Sequence, residues 1–141
     1  MGRLLAIDYG KKRVGIAVTD PMQLIATGLG TVPSHEVITF LKNYLGKECV
    51  DVIIVGLPKQ MDNSDSESMV YIKPFLRQLA KHFPEIKVEA YDERFTSKIA
   101  HQAIIDAGVK KMDRRDKSLV DMVSATIILQ SYMQSKELRK F

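Results

Sequence analysis

The sequence predicts an α/β fold: one domain with a mixed five-stranded sheet, whose first three strands are antiparallel and whose last two are parallel, and helices on both faces. Three strand-like segments come first without an intervening helix, whereas a helical pattern separates each later strand from the next, as in parallel crossovers. Residues 50–55 form an apolar, β-branched run broken only by one Asp, which favours a strand buried on both faces. The length of 141 residues, of which 45% are hydrophobic, suits a single domain over 1–141.

The first three predicted strands form an antiparallel meander. Residues 3–8 (RLLAID) have the pattern of a buried strand. In residues 13–19 apolar residues alternate with others well enough for this segment to be its hairpin partner across a tight turn. Residues 24–32 read as a third, weaker strand. Gly10 and Gly15, in and after the turn, indicate a close approach of the two backbones.

The rest of the chain alternates helix and strand. The predicted elements, in chain order, are a helix after Ser34, the strand 50–55, a helix ending near His82 with Pro74 kinking it, the strand 86–91, and helices over 96–107 and 117–133. Ser34 and Thr96 are candidate N-caps. If the first strand is central, the ends of strands 1, 4 and 5 lie side by side, and the crevice there is the expected ligand site.

Composition limits the function classes only loosely. The net charge of +4 favours a polyanionic partner such as nucleic acid without requiring one. The only cysteine, Cys49, precludes an internal disulfide and is expected to be a small core residue. The start of the chain lacks the pattern of a signal peptide, and no apolar run approaches the roughly 20 residues that span a bilayer. We therefore expect a cytoplasmic protein without membrane contact.

Carboxylates fall at the ends of three predicted elements. Asp8 ends the first strand, Asp92 and Glu93 follow the fifth, and Asp121 is the only charged residue in an otherwise apolar or small stretch of the last helix. Three converging carboxylates repel one another unless a cation holds them. Oxygen ligands on separate elements suit Mg²⁺ or Mn²⁺, and such ions activate water for phosphodiester hydrolysis. The hypothesis is a nuclease with Asp8, Glu93 and Asp121 as catalytic metal ligands; Glu93 is preferred to Asp92 for its longer side chain.

Each acid also has an ordinary interpretation when it is considered alone. Asp8 could be a turn residue that accepts hydrogen bonds from nearby amides. Glu93 could be a helix N-terminal charge or the ion-pair partner of Arg94, and Asp121 could pair with Lys117 on the helix surface. Their joint placement favours the functional interpretation.

Basic residues flank the proposed acidic centre. The predicted phosphate contacts are Lys12, Arg13, Arg94, Arg114, Arg115 and Lys117. Residues expected to shape the site are Gly10, Gly15, Gly56, Pro58 and Thr96. The alternative for the basic connector 110–117 is a solvated loop. The aromatic residues expected near the site are only Tyr9, Tyr91 and Phe95, which argues against generic single-strand binding by base stacking and slightly for recognition of the backbone or shape.

Four blocks of the sequence together carry a family resemblance. They are DYGKKRVGIAVTD, VGLPKQMD, DERFTS and KSLVDMVSATIILQSYM, in that order over nearly the whole chain. The chain resembles the YqgF family of pre-16S rRNA nucleases, also described as Holliday junction resolvase-like. The resemblance implies a ribonuclease H-like fold related to RuvC-type resolvases and a metal-dependent site with Asp8, Glu93 and Asp121 as its three acids. It also implies a role in maturing the 5′ end of small-subunit ribosomal RNA, with cleavage of branched DNA as the alternative.

Two further function classes stay open at this level. Sugar kinase and actin-like ATPases share a ribonuclease H-like core, but they need a second similar domain, for which 141 residues leave no room, so that a dimer would have to supply it. A non-catalytic RNA-binding module with a vestigial site is the other class. We expect a monomer or a weak homodimer, and a resolvase that cuts two symmetric strands would need the dimer.

Overall fold

The computed structural model describes residues 2–57, 69–92 and 117–139. The strands are β1 (Arg3–Tyr9), β2 (Arg13–Thr19), β3 (Ala26–Pro33), β4 (Val50–Leu57) and β5 (Lys87–Asp92); the helices are α1 (Val37–Leu45), α2 (Met69–His82) and α3 (Lys117–Arg139). A short 3₁₀ turn, Ser34–Glu36, precedes α1. The predicted helix over 96–107 lies outside the described residues.

The five strands form one sheet in the order β3-β2-β1-β4-β5. The pairs β1–β2 and β2–β3 are antiparallel, whereas β1–β4 and β4–β5 are parallel. The predicted mixed sheet is confirmed, and β1 is its central strand. The carboxyl ends of β1, β4 and β5 therefore lie next to one another, as the topology predicts.

Each face of the sheet packs against its own helices, because successive side chains of a strand point to opposite faces. Leu5 and Ile7 of β1 contact the apolar sides of α1 and α2, where Leu41 and Phe75 are buried. On the other face Leu4, Ala6, Ala17, Val52 and Ile54 pack beneath α3 with Ala125, Ile128, Leu129 and Tyr132. The short side chains of Ala6, Ala17 and Ala125 let α3 lie close to the central strands.

The direction of α3 follows from its contacts with the β2–β3 loop. Gln130, Met133 and Gln134 line a shallow groove with Leu24 and the residues after it. This loop joins β2 to β3 at the amino end of β1, because the Leu4 amide donates to Thr19 Oγ1 over 2.9 Å. The later turns of α3 thus lie at the amino end of β1, and its first turns lie toward the carboxyl end.

The loop between β2 and β3 is organised by the carboxylate of Asp20. This carboxylate accepts hydrogen bonds from the backbone amides of Met22, Leu24 and Ile25 over 3.1, 2.9 and 2.7 Å. Gln23 has a left-handed backbone with φ 58°, and its side chain donates to the Gly2 carbonyl over 2.6 Å. The loop therefore holds its apolar side chains in solvent: Leu24 is 71% exposed.

Acid is expected to weaken this loop. The backbone hydrogen bond from Ile25, followed by smaller ones such as that from Leu24, holds the pKa of Asp20 below its ordinary value of 3.8 despite some desolvation. A carboxyl whose pKa is lower in the folded chain stabilises the fold above the unfolded pKa, and this stabilisation is lost as the pH falls through the folded pKa. We expect Asp20→Asn to flatten the decline of the unfolding free energy below pH 3.8, measured by urea unfolding at several pH values.

The control for this prediction is Glu85→Gln, which neutralises a carboxylate at an exposed position. It should leave the acid limb of the profile unchanged. Superimposable profiles for Asp20→Asn and the wild type would show that the Asp20 carboxylate does not carry the acid sensitivity.

Several details differ from the sequence prediction. The third strand begins at Ala26, because Leu24 and Ile25 belong to the Asp20 loop. Ser34 does not cap α1: no side-chain cap is formed there, since the Ser34 hydroxyl donates instead to the Lys11 carbonyl over 2.7 Å. Cys49 is exposed, because it lies in the loop before β4, where its carbonyl accepts a hydrogen bond from the Arg3 amide.

The helices otherwise agree well with expectation. The apolar face predicted for α1 packs on the sheet, with Val37 and Leu41 buried. Helix α2 ends at His82 and contains Pro74. Helix α3 extends to Arg139, beyond the predicted end near residue 133. Among the described residues, no helix has the length and apolar character needed to cross a bilayer.

Candidate functional site

Asp8 lies at the carboxyl end of the central strand, one residue before β1 ends, and is half-buried. It is two residues from Ala6 and four from Leu4, whose side chains pack beneath α3. Because side chains alternate along a strand, Asp8 projects from the α3 face of the sheet. Its neighbour Tyr9 projects from the opposite face and packs against the α1 and α2 side.

Glycines occupy the strand positions on either side of Asp8. Asp8 is paired with Gly15 of β2, and Gly56 of β4 follows Val55, the partner of Ile7. Directly opposed residues in a sheet place their Cβ atoms about 4.5–5.5 Å apart, so a side chain at either position would stand beside the carboxylate. With glycine at both, neither neighbouring strand places a side chain beside the Asp8 carboxylate.

The turn after Asp8 presents three basic residues at the same end of the sheet. Lys11 and Lys12 are exposed and Arg13 is half-buried. By alternation Arg13 shares the α3 face with Gly15 and thus with Asp8. The turn is tight: the Gly10 amide donates to the Arg13 carbonyl over 2.9 Å, and a Cβ on Gly10 would lie only 2.7 Å from that oxygen.

The helical position of Asp121 falls on the stripe of α3 that faces the sheet. Ala125, Ile128 and Tyr132 are buried against the sheet, and position 121 lies one turn before Ala125 on the same side. Lys117, the first residue of α3, lies one further turn back along that stripe. Since the first turns of α3 lie toward the carboxyl end of β1, position 121 and Asp8 belong to the same end of the fold.

The remaining predicted site residues lie outside the described residues. They are Glu93, Arg94, Arg114, Arg115, Pro58 and Thr96; Asp92 is the last residue of β5, but its side chain is not described. Among the described side chains, no group of three His, Cys, Asp or Glu is placed to hold a metal ion. The groove beneath Gln130 and Met133 is at the opposite end of the sheet from Asp8.

Aromatic side chains connect the β1–β2 turn to α2. The rings of Tyr9 and Phe75 stack with centroids 4.2 Å apart, and burial raises the pKa of the Tyr9 phenol above its ordinary value. One turn earlier on α2, the Tyr71 ring lies 5.7 Å from Lys11 Nζ. Tyr71 was not expected near the site; the signal for it is the spacing of Tyr71 and Phe75 at i and i+4, which puts both rings on one helix face.

The strand order and directions, with helices on both faces, define the fold as ribonuclease H-like. The structure described as "T. thermophilus RuvC in complex with Holliday junction substrate" matches with a TM-score of 0.59 at 14% identity, covering 96% of this chain and 97% of that chain. The chain belongs to the RuvX family, because the family model described as "RuvX: Holliday junction resolvase" matches residues 2–135.

Relatives in several bacteria agree with this assignment. Each of the following is named "Putative pre-16S rRNA nuclease". The relative from Bacteroides thetaiotaomicron is 60% identical over 96% of this chain and 99% of its own length. The relative from Phocaeicola vulgatus is 61% identical over 97% of this chain and 99% of its own length. The relative from Porphyromonas gingivalis is 54% identical over 97% of this chain and 99% of its own length. The protein is accordingly a nuclease, a hydrolase of phosphodiester bonds.

Proposed function

We propose that this nuclease is metal-dependent and acts in the cytoplasm on structured nucleic acid, with the 5′ end of precursor 16S ribosomal RNA as its substrate. The observation that carries the proposal is Asp8, a carboxylate at the end of the central strand, with glycine on both sides and a basic turn directly after it. A carboxylate in the path of a polyanion is unfavourable unless a cation lies between them.

The donor set fits a hard divalent cation such as Mg²⁺ or Mn²⁺. Asp8 supplies oxygen ligands, and we assign Asp121 and Glu93 as the other two. Position 121 lies on the sheet-facing stripe of α3. Glu93 is assigned in preference to Asp92 because its side chain is longer. When bound, such a cation activates water and stabilises the leaving oxygen in phosphodiester hydrolysis.

Other residues of the chain are assigned to binding the substrate. Lys12 and Arg13 bind phosphates of the substrate strand beside Asp8, and Lys117 does so from the start of α3. Arg94, Arg114 and Arg115 are proposed to extend this basic rim. Gly15 and Gly56 place no side chain of their own beside the carboxylate, and we infer that a scissile phosphate approaches the face from which Asp8 projects.

The RNA substrate is favoured over branched DNA by the degree of similarity. Relatives that are 54–61% identical carry the RNA nuclease name, whereas the family description names a Holliday junction resolvase and the structure with a Holliday junction is only 14% identical. A junction resolvase also needs two sites related by a two-fold axis, whereas we expect a monomer or at most a weak homodimer.

The test compares two substrates under one set of conditions. The full chain is incubated with precursor 16S ribosomal RNA and with a four-way DNA junction, each with Mn²⁺, with Mg²⁺ and with excess EDTA. We expect cleavage of the precursor near its mature 5′ end that EDTA abolishes. Preferential, symmetric junction cleavage by a dimer would replace the RNA assignment with the resolvase, and cleavage unaffected by EDTA would reject the metal dependence.

A further inference from the structure

The pair formed by Lys11 and Tyr71 has no role in the site proposed so far. Lys11 Nζ lies 5.7 Å from the centroid of the Tyr71 ring, within the range of a cation–π interaction. Tyr71 is 39% exposed, unlike Phe75 on the same helix face, which is 1% exposed. The ring is thus held at the surface with a cation beside it, rather than packed in the core.

Both members of the pair are anchored to fixed parts of the fold. On the turn side, Ser34 binds the backbone twice: its amide donates to the Lys12 carbonyl over 3.0 Å and its hydroxyl to the Lys11 carbonyl over 2.7 Å. On the helix side, Phe75 lies one turn after Tyr71 and stacks on Tyr9. The position of the Tyr71 ring relative to the end of β1 is therefore set by packing on both sides.

The pair also lies at the same end of the sheet as Asp8, although Tyr71 belongs to α2, on the face opposite to the one from which Asp8 projects. Lys11 follows Asp8 by three residues, so their Cα atoms are at most about 11 Å apart. A stacked nucleic-acid strand advances about 3.4 Å per nucleotide. A strand that runs from a phosphate at Asp8 around this end of the sheet would thus reach Lys11 within about three nucleotides.

We propose that Tyr71 and Lys11 form a subsite for one unpaired nucleotide of the substrate, with its base stacked on the Tyr71 ring and its phosphate bound by Lys11. This inference rests on the proposed nucleic-acid substrate. Stacking on an aromatic ring accepts any base, whereas a flexible ammonium group suits a phosphate. The ammonium group covers the ring in the free protein and turns to the phosphate when a base takes its place.

Such a subsite selects for unpaired nucleotides near the cleavage position. A base within a duplex is already stacked on its neighbours and cannot present its face to the ring. A single stacked nucleotide is compatible with the sequence argument against generic single-strand binding by base stacking.

The chain contains no tryptophan, so Tyr71→Trp introduces a single indole as a reporter. We expect a short oligouridylate to quench its fluorescence strongly and a blunt RNA duplex to quench it far less. The matched control is Leu24→Trp, at an exposed position on the opposite end of the sheet, where the same oligonucleotide should cause little quenching. Equal quenching at both positions, or preference for the duplex, would overturn the subsite.

Affinity measurements separate binding from a purely structural role of the pair. We expect Tyr71→Leu to weaken oligouridylate binding about tenfold, whereas Tyr71→Phe should bind about as well as the wild type. In cleavage assays Tyr71→Leu should raise KM more than it lowers kcat. Lys11→Gln should reduce the slope of log K against log salt by about one. Urea unfolding of each variant shows whether it is folded.

The outcomes distinguish this inference from the proposed function. Wild-type protein that binds neither RNA nor DNA rejects the proposed substrate and the subsite together. Wild-type protein that binds and cleaves RNA, with Tyr71→Leu and Tyr71→Phe equal to it in affinity, rejects the subsite alone and leaves the pair as a contact between the turn and α2.

Discussion

Replacing Asp8 by Asn is expected to abolish metal-dependent cleavage while leaving the fold intact. The change keeps the shape of the side chain but removes the charge and one of the two anionic oxygens that a divalent cation needs. Changing a residue that merely supports a metal ligand costs about 10–100-fold in metal affinity or activity, so loss of a direct ligand should lower the single-turnover rate constant by more than 100-fold. The measurement is single-turnover cleavage of precursor 16S ribosomal RNA at saturating Mn²⁺.

The parallel variants test the other two assigned ligands. Glu93→Gln and Asp121→Asn should show losses of the same order, because the three carboxylates act on one site and their effects do not add. Asp51→Asn is the matched control: its carboxylate lies at the amino end of β4, where it accepts a hydrogen bond from the Gly2 amide. Background cleavage that is equal in wild type and Asp8→Asn would end the catalytic assignment.

Truncating Phe75 to Ala is expected to lower the free energy of unfolding by about 3–5 kcal/mol, as is typical for a buried Phe. Phe75 is among the largest fully buried side chains, with 1% exposed, and its ring also stacks on Tyr9. Its loss leaves a cavity between α2 and the central strand and removes the contact that fixes the residue after Asp8. Equilibrium urea unfolding measures the change.

Two variants on the same helix calibrate this result. Phe75→Leu refills most of the volume and should cost appreciably less than the truncation. Gln78→Ala, at an exposed position of α2, should stay within about 0.5 kcal/mol of the wild type. A change below about 1 kcal/mol for Phe75→Ala would mean that the site collapses readily around the missing ring.

The sheet could be predicted from local pattern because its strands carry unambiguous signals. The β-branched run after Cys49 and the glycine turn after Asp8 fix a buried parallel strand and a hairpin, and helix-separated strands pair in parallel. The errors arose where tertiary contacts override local preference. Leu24 and Ile25 read as strand residues by their apolarity, yet hydrogen bonds to Asp20 keep them in a loop. Ser34 has the character of a helix cap, but the neighbouring turn takes its hydroxyl.

The candidate site was predictable in part. Asp8 stands out because a charge at the end of an apolar strand is costly unless a partner offsets it. That it lies on the same sheet face as Leu4 and Ala6 follows from the alternation of side chains along a strand. Tyr71 did not stand out: an aromatic residue four positions before Phe75 on a helix suggests a second core residue. Only the packing of α2 against the turn shows that one ring is buried and the other remains at the surface.

The path of the chain has a consequence during synthesis. Helix α3 covers the sheet face from which Asp8 projects. In the chain, however, most of the sequence lies between β2 and the start of α3. With Asp121 as a ligand, the site requires residues from both regions, so a nascent chain that has not yet released α3 lacks one of its three acids. Under the proposed assignment, metal-dependent cleavage would therefore appear only after α3 has been synthesised and has packed on the sheet.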